Sequence, residues 1–317
     1  MQSIEPKSQG LDMRVALLPI SLFLATLFVG CESTSIKPSK DAQGRVPVVA
    51  TNSILADWVK QVGGEQVLVT TLVPADGDPH TFEPTPRDGL TLTRAMLVFE
   101  IGLHFEAWLD DLFTASGSVA VRVAVSREIT PRKAFCACHG TSEDPHVFQS
   151  VKHARSMVQV IAAELSKADP EHAELYSSRS KAYVEELESL DSEVRSLLAE
   201  VPEGNRFIVT AHNTFGYFAE DYGFEVLSLL DSLTSEAADP SAMKIGALIR
   251  RIRELKIPAL FAESVTNSKL VQQVARESAV SKVEMLNSDS LGPKDTPTGT
   301  YVGMMRSNAK KIAESLR

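Results

Sequence analysis

Only three cysteines occur in 317 residues. Two of them, Cys136 and Cys138, are too close for an easy disulfide, because residues two apart rarely supply the separation and dihedral that the bridge needs. If the third, Cys31, carries lipid, a disulfide-stapled fold is excluded. H-E-x-x-H, G-x-S-x-G and glycine-rich phosphate loops are missing as well, so an enzyme reading has no motif to carry it. Positive charge is scarce: 32 Lys and Arg face 41 Asp and Glu, for a net charge of -9. Such a chain suits neither nucleic acid nor anionic lipid as a partner. The apolar run after Arg14, VALLPISLFLATLFVG, has about sixteen residues, which is short for a membrane span of roughly 20.

What is present begins with that run, which sits where a secretory h-region sits. It ends in FVGC, which looks like a bacterial lipobox with Phe28 where leucine is usual. Residues 1–31 are therefore expected to be a lipoprotein signal peptide, with lipid on Cys31 anchoring the mature chain; a signal-anchor is the alternative. Met13 is a candidate start, because MQSIEPKSQGLD adds nothing to an n-region. Removing residues 1–30 takes Lys7 and Arg14 together with Glu5 and Asp12, so the balance stays at -9. Residues 32–45, rich in Ser and Lys, follow as a flexible tether.

From residue 46 onward, strand-like runs alternate with helical patterns. VPVVA, SILADWVKQVG, VLVTTLVP, a helix near TPRDGLTLTRA, AMLVFEIG, a helix from about Phe105 and VAVRVAVS make up the first half. The second half has FIVTAHN, a helix through Tyr222, EVLSLL, a helix over 242–256, ALFAES, a helix through about Ala279, VEMLNSD and a last helix. This alternation implies βαβ units around parallel sheets. The expected fold is α/β in two lobes, 46–168 and 202–317, each a parallel-rich sheet flanked by helices. A long helix over 169–201 joins them. Asp169-Pro170 supplies its N-cap and N1 proline. Tyr176, Tyr183, Leu187, Leu190, Val194 and Leu197 form one apolar stripe along it. About thirty residues at 1.5 Å each give roughly 45 Å, enough for a stiff spine.

Asp-Pro-His occurs twice, in DGDPHTFEPTP (76–86) and EDPHVFQS (143–150). Beyond D-P-H-x-F the flanks do not align, which favours a shared chemical task over an internal repeat. Proline fixes its own φ and biases the preceding residue toward extended backbone. His80 and His146 are thus presented by chain that loses little entropy on ordering. Asp78 and Asp144 either accept the proton on the imidazole nitrogen facing away from a metal or cap turns. His80 follows the VLVTTLVP strand, His212 ends FIVTAHN and Asp289 ends VEMLNSD. Side chains of different units converge at such strand ends, so each half of the chain offers two candidate metal ligands. His104 is read as structural, opening a helix with Phe105 and Trp108, and His153 and His172 as solvated.

VGGEQVLVTTLVPADGDPHTFEPTPRD, EDPHVFQSVKHA, VTAHNTFGYFAEDYGFEV, ALFAESVTNSKLVQQVARE and NSDSLGPKDTPTGTYVGMMRSN together resemble the metal-binding solute receptors of bacterial ABC importers for zinc and manganese. The resemblance runs from about Val46 to the C-terminus. It implies two α/β lobes joined by one rigid helix, with the metal in the cleft between them. It further implies His80, His146 and Asp289 as ligands, with His212 where the family has histidine or glutamate. Glu263, in FAES, lies near the cleft and is expected to support a ligand or act as a hinge. The family often has a variable metal-gathering loop where CACHG stands. Cys136, Cys138 and His139 form either a secondary zinc or copper(I) site or a mobile loop with partly buried thiols. Phe148 stands where tryptophan is frequent.

Three imidazoles and one carboxylate suit Zn²⁺, whereas Mn²⁺ prefers more oxygen donors. In the family a glutamate at the third position goes more often with manganese, so His212 favours zinc, with manganese the alternative. The expectation is a non-catalytic, monomeric receptor outside the cytoplasmic membrane, periplasmic or cell-surface and lipid-anchored. It would deliver metal to a permease driven by a cytoplasmic ATPase. A secreted zinc hydrolase using Glu263 as general base, and a surface adhesin or metal scavenger, are the competing readings.

Overall fold

The computed structural model describes residues 38–136, 140–230, 232–235 and 240–317. The 1–31 leader with Cys31, the tether before residue 38, Cys138, His139 and the side chain of Cys136 lie outside the described residues.

The first half builds β1 (Val46–Ala50), α1 (Ser53–Gly63), β2 (Val67–Thr71), α2 (Pro86–Arg94), β3 (Leu97–Glu100), α3 (Leu109–Ser116) and β4 (Val121–Ala124). The strands pair in parallel in the order β2-β1-β3-β4. The inner strands β1 and β3 read as near-continuous apolar runs and are buried, whereas edge strand β2 alternates between buried and open positions. That is the pattern expected of a parallel sheet covered on both faces. Helix starts are marked by side chains that satisfy free N–H groups. Asn52 accepts from Leu55 N–H, and the Asp88 carboxylate accepts from Thr85 N–H ahead of Pro86.

Helix α3 begins at Leu109, four residues later than the expected start at Phe105. Leu103 and His104 take positive φ values of 57° and 60°, a left-handed backbone that cannot open an α-helix. His104 is therefore an exposed turn residue rather than a helix-opening one. An antiparallel hairpin that the sequence reading did not anticipate follows, β5 (Lys133–Cys136) with β6 (Gly140–Glu143).

Helix α4 (Val151–Ala168) then folds back through a short turn onto α5 (Ala173–Ala199). At 27 residues α5 is the long helix, about 40 Å. Its buried stripe is Tyr176, Ser180, Tyr183, Leu187, Leu190, Val194 and Leu198. Leu198 takes the place expected for Leu197, which is only partly buried. Asp169 precedes Pro170, but its carboxylate caps no backbone N–H of the turn. It accepts instead from Lys40 Nζ at 2.8 Å and Tyr176 Oη at 2.7 Å, and lies 2.8 Å from His172 Nδ1. His172 is thus paired rather than free in solvent. His153 is likewise not solvated: it is half-buried on α4 with its ring 5.4 Å from that of Tyr217.

The second half has β7 (Phe207–Thr210), α6 (Gly216–Tyr222), β8 (Glu225–Ser228), α7 (Ala242–Leu255), β9 (Ala259–Glu263), α8 (Lys269–Ser278), β10 (Lys282–Leu286) and α9 (Tyr301–Leu316). β7 pairs with β8 and β9 with β10, all parallel, and β7 lies beside β9. The two hydrogen-bonded pairs thus lie side by side as β8-β7 and β9-β10, in the second-first-third-fourth arrangement of the first half. The repeat absent from the Asp-Pro-His flanks thus exists in strand topology. Helix α5 packs against α1 and α4 of the first half and α9 of the second, so one apolar core draws on both halves. A separate cluster around Val209, Ile252, Leu260 and Val274 belongs to the second lobe alone.

Candidate metal centre

In each lobe the strand order reverses between its first and third strands, and loops leaving that crevice are where α/β sheets gather ligands. His212 lies just beyond β7 and Glu263 ends β9. His80 comes from the long segment after β2, His146 from the turn between β6 and α4, and Asp289 from the segment after β10. His146, His212 and Asp289 are fully buried and His80 nearly so. One ligand atom from each of the four lies within 4.8 Å of the others. His146 Nε2 is 3.4 Å from His80 Nε2 and 3.6 Å from Asp289 Oδ1, and His212 Nε2 is 3.1 Å from Asp289 Oδ2.

The two Asp-Pro-His segments share a local device. His80 N–H donates to Asp78 Oδ1 at 2.9 Å, and His146 N–H donates to Asp144 Oδ1 at 3.0 Å. Each aspartate closes a turn across its proline. Beyond that they diverge. Asp144 Oδ1 also lies 2.8 Å from His146 Nδ1, which fixes the tautomer that points a lone pair on Nε2 inward. Asp78 Oδ2 instead accepts from Ser235 Oγ at 2.5 Å, reaching into the other half of the chain.

Glu263 stands behind His212, its Oε2 2.5 Å from Nδ1, while Oε1 accepts from Ala211 N–H at 2.8 Å and His212 N–H at 3.1 Å. The Nδ1–Oε2 pair is a close charge contact rather than an aligned hydrogen bond, and His212 Nε2 has no aligned hydrogen-bond partner either. A buried ring nitrogen without a partner is costly, and a cation in the cleft would satisfy it. Thr214 Oγ1 donates to Asp289 Oδ1 at 2.8 Å and Ser288 Oγ to Oδ2 at 3.2 Å, leaving each oxygen a further lone pair. Phe105 packs edge-on against His80 at 4.8 Å and Phe148 lies 5.2 Å from Phe105, so an aromatic wall backs the imidazoles.

The charges follow from this packing. Burial pushes His80 down to about 3 despite the nearby Asp289 carboxylate. Burial also acts to lower His212, but the Glu263 and Asp289 carboxylates outweigh it and hold that imidazole well above its usual range. Burial would raise Asp289; the histidines, His212 foremost, outweigh it and hold the carboxyl below the usual range.

Sequence reasoning did not single out Thr214, Arg132, Tyr217 or Glu106. Thr214 carried the best available signal, two residues beyond a candidate ligand. Hollows wide enough for an organic solute open elsewhere, such as one of about 500 Å³ beside Leu68, Arg87 and Leu90.

Two α/β lobes spanned by one long helix, with nitrogen and oxygen donors converging between them, make a substrate-binding protein for a metal ion. The chain belongs to the family of the periplasmic zinc-uptake complex component A, whose model matches residues 48–315. The manganese-binding lipoprotein MntA of Bacillus subtilis is 35% identical over 310 residues, 96% of this chain and 100% of that one. The iron ABC transporter substrate-binding lipoprotein MtsA of Streptococcus pyogenes is 31% identical over 309 residues, 96% of this chain and 98% of that one. The periplasmic zinc-binding protein TroA from Treponema pallidum matches with a TM-score of 0.79 and 33% identity, over 86% of this chain and 99% of its own. The protein is a substrate-binding receptor of a metal ABC transporter and not an enzyme, which removes the hydrolase reading. Its relatives are lipoproteins or periplasmic proteins, and among the described residues no helix is long and apolar enough to cross a membrane.

Proposed function

We propose that the receptor captures Zn²⁺ outside the cytoplasmic membrane, as a monomer held there by lipid on Cys31, and passes it to the permease of its ATP-driven importer. The ligands are His80, His146 and His212 through Nε2, and a carboxylate oxygen of Asp289. The spacing of these atoms carries the reading. A tetrahedron with metal–ligand bonds of about 2.0–2.1 Å has edges of about 3.3 Å; the Nε2 atoms of His80 and His146 are 3.4 Å apart and His212 Nε2 is 3.1 Å from Asp289 Oδ2, with all four ligand atoms within 4.8 Å of one another. Three nitrogens to one carboxylate also favour zinc over manganese.

Manganese is the second reading. Both Asp289 oxygens face the histidines, so the carboxylate offers a fifth contact, and the MntA relative is named for manganese. Because the ligands must give up protons to bind, affinity falls in acid. Release follows from parting His80 and His146 from His212 and Asp289.

The test is a competition titration of a soluble form spanning 32–317. Zinc should displace manganese at far lower concentration, and His80→Ala and His212→Ala should each lose affinity by at least about tenfold. Manganese displacing zinc at comparable concentration would overturn the choice of metal. Full affinity in either variant would overturn the ligand set.

A further inference from the structure

The three imidazoles are not backed alike. Glu263 faces His212 with no Lys or Arg paired to it among the described residues; its remaining donors are backbone N–H groups. Among the described residues no carboxylate pairs with the His80 ring, which rests on Phe105. Behind His146 the Asp144 carboxylate is divided. Oδ1 serves the imidazole, while Oδ2 accepts from Arg132 Nη1 at 2.8 Å.

Arg132 is held in that place from several sides. Its carbonyl accepts from Asp144 N–H at 2.9 Å, closing the base of the β5–β6 hairpin. Its N–H donates to Tyr217 Oη at 3.0 Å, and that hydroxyl donates on to the Asp144 carbonyl at 2.8 Å. The guanidinium lies 5.6 Å from the Tyr217 ring centroid, and its Nε is 3.6 Å from Glu220. Gly216, the first residue of α6, makes room for it. A Cβ there would stand 1.6 Å from Arg132 Nη1 and 3.0 Å from Asp144 Oδ2. The glycine's lack of a side chain is thus a condition of the Arg132–Asp144 pair.

We propose that Arg132 is a positioning residue that weakens His146 as a metal donor by sharing the Asp144 carboxylate, and so sets how fast the metal leaves. The inference rests on His146 being a ligand. A carboxylate behind an imidazole raises its basicity toward a metal, and a cation on the same carboxylate takes part of that increase back. A second effect has the same sign. Asp144 is fully buried, and in the metal-free protein Arg132 is its partner of opposite charge. Once a metal binds through His146, the ion's own charge faces the same carboxylate. Arg132 therefore stabilises the empty receptor more than the loaded one.

The test is the rate of zinc loss to an excess of chelator, read beside equilibrium affinity. Arg132→Gln should release zinc about tenfold more slowly and bind it correspondingly tighter. Arg132→Lys keeps the charge and should return most of the wild-type rate. Gly216→Ala leaves every charge in place but displaces the guanidinium, so it should reproduce the slow release even if Arg132→Gln folds poorly. In the zinc-bound protein the His146 Nδ1 proton should move downfield in both slow variants, a change that a purely structural clamp does not require. Unchanged or faster release in Arg132→Gln and Gly216→Ala would overturn the proposal. The control is His146→Ala: zinc binding at wild-type affinity there would mean that the ligand assignment itself has failed, whereas lost affinity confines any failure to the role of Arg132.

Discussion

Among the described residues Glu106 has no cationic partner, yet it is 5% exposed beneath the ends of β1 and β3. It accepts from Thr51 Oγ1 at 2.6 Å, Ile101 N–H at 2.9 Å and Gly102 N–H at 3.3 Å. Glu263 does the same work at the end of β7, so each lobe ties its central strand ends with a buried carboxylate. Burial pushes Glu106 up to about 7, against the pull of those three donors. The unfolded value is 4.5, so between the two the fold retains a proton that the unfolded chain has lost. Stability from this group is therefore greatest below about pH 4.5, declines as pH rises to about 7, and is level above that. The full decline is on the order of 3 kcal/mol. His80, whose value is lowered, contributes the opposite slope below 6.5, so the comparison must be between variants. Urea unfolding of the metal-free protein at about pH 5 and about pH 8 should show a smaller loss in Glu106→Gln than in wild type. Equal losses in the two proteins would mean that Glu106 ionises normally.

Among the elements, the strands and most helices were legible because burial and sequence period agree. VPVVA and ALFAE are apolar runs in buried parallel strands, and α1 has an Asn52 cap and a clean apolar face. Legibility failed where local backbone or distant packing decides. The left-handed Leu103 and His104 delay α3 without any glycine or proline at those positions, and the polar GTSE strand of the hairpin has no hydrophobic alternation. The site divides in the same way. The Asp-Pro-His turns are local and readable, whereas Arg132, Thr214 and Glu106 gain their roles from chain far away in sequence. Asp169 shows how one residue organises an element: it draws Lys40, His172 and Tyr176 onto the α4–α5 turn. Asp169→Ala leaves the buried Tyr176 hydroxyl without its acceptor, at a cost of about 2–3 kcal/mol. The end of α4 lies near the starts of β3 and β4, while the candidate ligands follow strand ends. Denaturant unfolding should therefore record the loss while zinc affinity stays near wild type. A matching fall in affinity would show that the turn is coupled to the cleft.

At the scale of the whole molecule, the halves share one core through α5 and are joined by polar contacts besides those of Asp78 and Tyr217. Ser53 Oγ accepts from Leu291 N–H at 2.9 Å, Gln149 Nε2 donates to the Ser288 carbonyl at 2.7 Å, and Tyr301 N–H donates to Asp57 Oδ2 at 2.8 Å. A metal held, as proposed, by His80 and His146 on one side and His212 and Asp289 on the other would add a crosslink that exists only in the folded protein. Stabilisation by such a ligand grows with the logarithm of its free concentration, reaching about 4 kcal/mol at a thousandfold excess over Kd. For a chain of this size that corresponds to a rise in Tm of about 10 °C. His80→Ala is the cleanest control, because among the described residues no carboxylate pairs with that ring and the metal-free fold loses least. Zinc should raise the Tm of wild type and much less that of His80→Ala, with chelator returning both to similar values. An equal rise in both proteins would place the stabilising ion elsewhere, for instance at the segment carrying Cys136, Cys138 and His139, and the cleft would lose its claim to be the site that zinc closes.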